Sequence, residues 1–220
     1  MRTKAVRWFA AVAFVVAAGA VPVLAQGPPP GRGGGGGGRM MMGPPLQLTS
    51  SAFQDLGTYP AQYSCAPNGH MDPAHMTSPP LSWKNAPAGT KSFVLLLHDP
   101  DAHARKSVDD ITHWIIFNIP GDSTSLPEGV KADAPASVGV QGNNIAGQPA
   151  FFGPCAPPGP AHHYTFELYA LDTTLDLQKG ATRDDIMKAM DGHVLTGTVL
   201  IGMFHQTSMG GPGGGGPPRQ

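Results

Sequence analysis

Three stretches of the chain are apolar at nearly every position: residues 92–98 (SFVLLLH), 112–119 (THWIIFNI) and 164–171 (YTFELYAL). Their length and their β-branched and aromatic content predict strands, and the first two read as central strands covered on both faces. In the third, alternation puts Tyr164, Phe166, Leu168 and Ala170 on one face and Glu167 with Tyr169 on the other. Residues 197–205 (GTVLIGMFH) predict a last long strand. Residues 46–53 predict a first strand, and residues 78–83 lead into another short one. Pro100 should end the 92–98 strand, because proline donates nothing to a ladder. Only residues 182–190 carry a clear helical signature. Thr182 suits the N-cap, Asp184 and Asp185 the first turn, Ile186, Ala189 and Met190 the apolar stripe, and Gly192 the end. Residues 63–80 and 130–152, rich in Pro, Gly and Asn, predict long irregular connections, and long loops of this kind often carry function. The fold class is therefore mostly β with a late helix, and no internal repeat is visible.

Composition changes the picture mainly at the two ends. Arg2, Lys4 and Arg7 precede an apolar run from Trp8 to Leu24, and Val23 and Ala25 fit a peptidase site. This predicts a secretory signal peptide over residues 1–25 and a protein exported to the periplasm or beyond. A membrane anchor is the competing reading, because the run approaches the roughly 20 residues that a span requires. Residues 26–45 and 209–220 are dominated by Gly and Pro, a composition that buries too little apolar surface to order itself. One folded domain, residues 46–208, is left. With 14 basic and 15 acidic residues and no basic run, nucleic acid is not an expected partner. Cys65 and Cys155 could form a bridge in an exported protein, or remain two buried thiols; spacing does not decide.

Candidate chemistry gathers where the apolar runs end. Asp99 and Asp101 flank Pro100, two apart on an extended segment, so their carboxylates should sit close and one pKa should rise. His113 and His162 each open a strand. Gly153-Pro154-Cys155 forms a turn in which glycine lets backbone approach a ligand and a free N–H at Gly153 could meet an oxyanion; Pro154 offers none. Two carboxylates, several imidazoles and a Gly-Pro turn suggest a small oxyanion pocket. A rival set, His98, Asp99, Asp101 and His103, has ligand types suited to zinc, manganese or iron and would suggest a metal-dependent hydrolase. No HExxH helix, GxSxG elbow or Walker loop is present.

Six elements, in order, resemble the phosphatidylethanolamine-binding protein family in its bacterial Raf-kinase-inhibitor-like branch, over about residues 46–207. They are Ser78-Pro79-Pro80-Leu81-Ser82-Trp83; Asp99-Pro100-Asp101-Ala102; His113-Trp114 with Asn118-Ile119-Pro120; Gly153-Pro154-Cys155; His162-His163-Tyr164 with residues 166–171; and Gly180-Ala181-Thr182 through Gly192-His193-Val194-Leu195. His103 stands where the family usually has Pro, and His163 where many members have Arg. The resemblance implies a large β-sheet packed on a smaller one, with a few peripheral helices. It also implies a pocket for phosphate, carboxylate or a phospholipid head group, formed by Asp99, Asp101, His113, Gly153, Pro154, His162 and Tyr164. In that pocket the imidazoles, Tyr164 and a backbone N–H near Gly153 would donate to the anion. The expected role is an exported, non-enzymatic binding protein without cofactor or metal, touching membrane only through an uncleaved signal or lipid head groups. The alternatives are an inhibitor that acts on a peptidase or kinase partner, and the metal-dependent hydrolase.

Overall fold

The structure, a computed structural model, describes residues 43–65 and 72–207. The expected signal peptide, nearly all of the 26–45 linker and the 209–220 tail lie outside the described residues.

Among the described residues, nine strands and one α-helix follow in chain order: β1 (Gln47–Thr49), β2 (Gly57–Thr58), β3 (Leu81–Lys84), β4 (Ser92–His103), β5 (Asp110–Pro120), β6 (Ser125–Leu126), β7 (Val140–Gly142), β8 (His162–Leu171), α1 (Arg183–Met190) and β9 (Val194–Phe204). The apolar runs become β4, β5 and β8 at the centre of a six-stranded sheet of order β2-β9-β8-β4-β5-β7. A three-stranded sheet, β1-β3-β6, packs against it. The family resemblance anticipated this division into a large and a small sheet. Alternation explains the layering. Phe93, Leu95 and Leu97 of β4 point into the layer shared with Leu48, Trp83 and Leu126 of the small sheet. Val94 and Leu96 point to the other side, where Ile186 and Met190 of α1 cover them. The helix starts as its sequence predicts, with Thr182 and Asp185 forming a reciprocal capping box, and Gly192 beyond its end has φ of 79°.

The structure moves several boundaries. β1 is shorter than residues 46–53, and β2, β6 and β7 are strands of two or three residues without a readable pattern. β7 lies inside the connection expected to be irregular. Pro100 does not end β4. The register passes from Asp99↔Ile111 directly to His103↔Asp110, and pairing with β8 stops at His98↔Thr165. Residues 100–102 therefore bulge out of the ladder, where a missing N–H costs nothing.

A second bulge matters more for the site. Leu97 faces Trp114, but the next residue, His98, faces Thr112. His113 is thus an extra residue in β5, and it turns to the same side as Trp114 instead of alternating away from it. Its ring meets Tyr164 edge-on at 5.1 Å between centroids.

Candidate functional site

At one end of β4, β5 and β8, on the face covered by the small sheet, a cleft of about 260 Å³ opens between the strand ends and residues 152–157. Asp99, His113, His162 and Tyr164 form its polar part, and Ile111, Phe152, Ala156 and Pro157 are among its walls. Four of the seven expected residues therefore meet around one cavity, brought from three strands. The apolar walls come mostly from the 130–152 connection and the turn after it, which carry no strong sequence signal.

Asp99 is the hub of the polar part. It is 3% exposed, and each of its oxygens has a partner. Oδ1 accepts the Asp101 backbone N–H at 3.0 Å, and Oδ2 meets His162 Nδ1 at 2.7 Å. Asp101 lies outside the cleft, where its Oδ2 accepts the His163 backbone N–H at 2.6 Å and meets the His163 ring at 2.8 Å. The two carboxylates therefore share no proton, since each has its own imidazole. The expected rise does not occur at Asp101. Partial burial pushes its carboxyl up, but the His163 backbone and ring outweigh this and hold it below the usual range.

The Gly153 turn also differs from expectation. The Gly153 N–H is not free: it donates to Met76 Sδ at 3.0 Å. Glycine is needed there because a Cβ would lie 2.8 Å from the Tyr63 carbonyl oxygen, so it permits contact with the protein's own backbone. Pro154 accepts from the Cys65 N–H at 3.1 Å. The next two N–H groups, of Cys155 and Ala156, both donate to the Tyr164 hydroxyl, at 3.1 and 2.9 Å. Burial foremost, and then the neighbouring Asp99 carboxylate, which accepts a hydrogen bond from the phenol, push the Tyr164 pKa well up. Tyr164 is thus a neutral brace between turn and strand, and its own O–H is directed at Asp99. Cys65 and Cys155 form a disulfide, with Cα atoms 5.5 Å apart, that ties this wall to the loop before residue 66.

Two ring nitrogens remain for a guest. His162 holds Asp99 through Nδ1, and His113 holds the Phe152 carbonyl oxygen through Nδ1 at 2.9 Å. Each ring lines the cleft, and in each Nε2 has no hydrogen-bond partner among the described residues. Burial dominates at His113 and lowers its pKa, against weaker opposing pulls from the Phe152 carbonyl, Asp99 and the Gly153 backbone. His113 is therefore neutral at physiological pH.

The rival metal set does not assemble. His98 lies on the opposite face of β4 from Asp99. Its Nδ1 meets Asp110 Oδ2 at 2.5 Å, and its Nε2 faces Glu167 Oε1 at 3.7 Å. Asp99 and Asp101 each hold an imidazole of β8, and His103 is exposed at the far end of the strand. Among the described residues, no group of three or more potential ligands converges.

Comparison with known proteins agrees with this fold. The family model for phosphatidylethanolamine-binding proteins matches residues 49–205. A UPF0098 protein of Methanothermobacter thermautotrophicus is 44% identical over 162 residues, covering 73% of this chain and 99% of that one. A UPF0098 protein of Chlamydia trachomatis is 37% identical, with 73% and 99% covered. Among solved structures, a phosphatidylethanolamine-binding protein homologue of Chlamydia trachomatis superposes with a TM-score of 0.63 at 34% identity, covering 74% of this chain and 98% of its own. Escherichia coli YbcL, described as a member of the mammalian family, gives 0.64 at 26% identity, covering 73% and 98%. With the two-sheet fold, the ordered motifs and these matches in agreement, the chain belongs to the phosphatidylethanolamine-binding protein family.

Proposed function

We propose that this protein is an exported, non-enzymatic binding protein that holds a small oxyanion in the cleft between His113 and His162. The oxyanion is phosphate, a carboxylate or the head group of a phospholipid. The observation that carries this reading is the pair of imidazoles, each anchored through Nδ1 and each leaving Nε2 to the same cavity. Anchoring from behind fixes both rings before a ligand arrives, which lowers the entropic cost of binding. The apolar walls exclude water and strengthen each polar contact to the guest. A binding role fits the lining, whose carboxylate and phenol are engaged by the protein itself and whose cysteine is in a disulfide. Export is supported by the basic and apolar start of the chain and by the Cys65–Cys155 bridge, a bond that persists in oxidising compartments.

Thermal unfolding in the presence of inorganic phosphate or phosphoethanolamine tests the reading. A ligand at 100 times its Kd stabilises by about 2.7 kcal/mol, or roughly 5–10 °C for a domain of this size. His162→Ala should remove most of that rise while leaving a cooperative transition. An unchanged melting temperature in the wild type, or a full rise in the variant, would count against the cleft as the site.

A further inference from the structure

Resting on the oxyanion reading above and narrowing its guests, we propose that His113 meets the guest as a hydrogen-bond acceptor, so that the cleft selects oxyanions that keep a proton on oxygen, such as phosphate or phosphonate monoanions, over those that keep none, carboxylates and equally charged sulfonates among them. The geometry of the ring leads to this. A carbonyl oxygen only accepts hydrogen bonds, so the 2.9 Å contact between His113 Nδ1 and the Phe152 carbonyl places the ring proton on Nδ1. The Nε2 of that neutral ring then carries a lone pair.

Adding a second proton would put a charge on a ring that is 3% exposed and lies between Phe152 and Tyr164, at 5.7 and 5.1 Å between centroids. The titratable groups around it do not reverse this. Asp99 on β4 favours the charge, but its oxygens are engaged by His162 and the Asp101 N–H. Tyr164 on β8 is neutral and directs its proton to Asp99. His98, on the other face of β4, opposes the charge.

A fully deprotonated oxygen placed against Nε2 would bring two lone pairs together, whereas a P–O–H would donate to it. His162 complements this arrangement. A carboxylate, not a carbonyl, stands behind its ring at 2.7 Å, so the ring in its protonated form has a counter-charge beside it and offers Nε2–H to the charged oxygen of the same guest. One acceptor and one donor then match one O–H and one O⁻.

Methylphosphonate and methanesulfonate make the test. They are close in shape, and at mildly acidic pH both are monoanions, but only the phosphonate retains an O–H. Titration calorimetry on the full chain should show methylphosphonate binding at least about tenfold more tightly, since a site built to receive a hydrogen bond rejects the analogue that lacks it. Replacing His113 by Phe keeps a ring and removes the lone pair; it should bring methylphosphonate down to the sulfonate's affinity. Equal binding of the two ligands to the wild type, or discrimination that persists in a folded His113→Phe protein, would overturn the role of His113 while leaving the oxyanion cleft in place. Binding of neither ligand would overturn both.

Discussion

At the scale of single residues, the site depends on groups that the protein itself engages. Tyr164 and the N–H groups of residues 153, 155 and 156 have donors that could meet an anion, yet each is already bonded within the protein, as is the Asp99 carboxylate behind His162. They hold the two imidazoles and the turn in place. Gly153 shows the consequence most sharply. An added Cβ would press on the Tyr63 and Ser64 backbone at 2.8–3.0 Å, and backbone cannot swing aside as a side chain can. Gly153→Ala should therefore destabilise the protein by about 1–3 kcal/mol, the range typical of overpacking. Denaturant midpoints would show it; a change within a few tenths of a kcal/mol would mean that the turn does not rest on that backbone. Which residue types would gather was legible in the sequence. Which of them would be left with open valences was not, because that depends on partners far along the chain: Met76 for Gly153, and Phe152 for His113.

At the scale of elements, pleating decides which neighbours cooperate. His98 and Asp99 are adjacent in sequence and face opposite sides of β4, so the string His98-Asp99-Pro100-Asp101 serves two different sites. Alternation alone contains that separation. The bulge that turns His113 toward Tyr164 is different, since it exists only through the pairing of β4 with β5. The strands β4, β5 and β8 were readable because burial demands long apolar runs, while β2, β6 and β7 are too short to show any period.

The His98 side of the sheet forms a network of its own. Asp110 pairs with both His98 and Arg183, the first residue of α1, while Glu167 faces His98 and accepts the Tyr169 hydroxyl at 3.1 Å. Burial works against charge on His98, but Glu167 and Asp110 outweigh it and raise its pKa. His98, foremost, holds the Glu167 carboxyl below its usual range. Because the folded pKa of His98 is raised, its contribution to stability is complete below the unfolded imidazole value of about 6.5 and is lost as pH climbs through the folded value. Glu167 acts in the opposite sense. Its contribution is present above the unfolded carboxyl value and is lost as pH falls through the lowered one. Asp110→Asn should cost about 2–4 kcal/mol at mildly acidic pH, by leaving Arg183 and His98 without their shared partner, and the cost should shrink as pH rises past the His98 titration. Urea unfolding of both proteins across this range measures it; a loss that is small and independent of pH would show that the network does not hold the helix to the sheet.

At the scale of the whole molecule, the two sheets and α1 form a frame that leaves one end of the central strands open. The small sheet covers the Phe93–Leu97 side, α1 covers the other, and the Cys65–Cys155 bridge links chain segments 90 residues apart beside the cleft. The resemblance of six ordered motifs made this two-sheet architecture readable in advance. The cleft's shape came from loops whose paths only the fold defines. Nitrogen NMR of the histidine rings during a phosphate titration tests the central claim most directly, because it reads the protonation and the contacts of each ring separately. The account predicts that His113 begins as the neutral form with its proton on Nδ1, and that the Nε2 signals of His113 and His162 move together and saturate, while those of the exposed His75 and His193 stay where they are. Stationary signals at both cleft histidines, with phosphate seen only at exposed rings or at none, would contradict it.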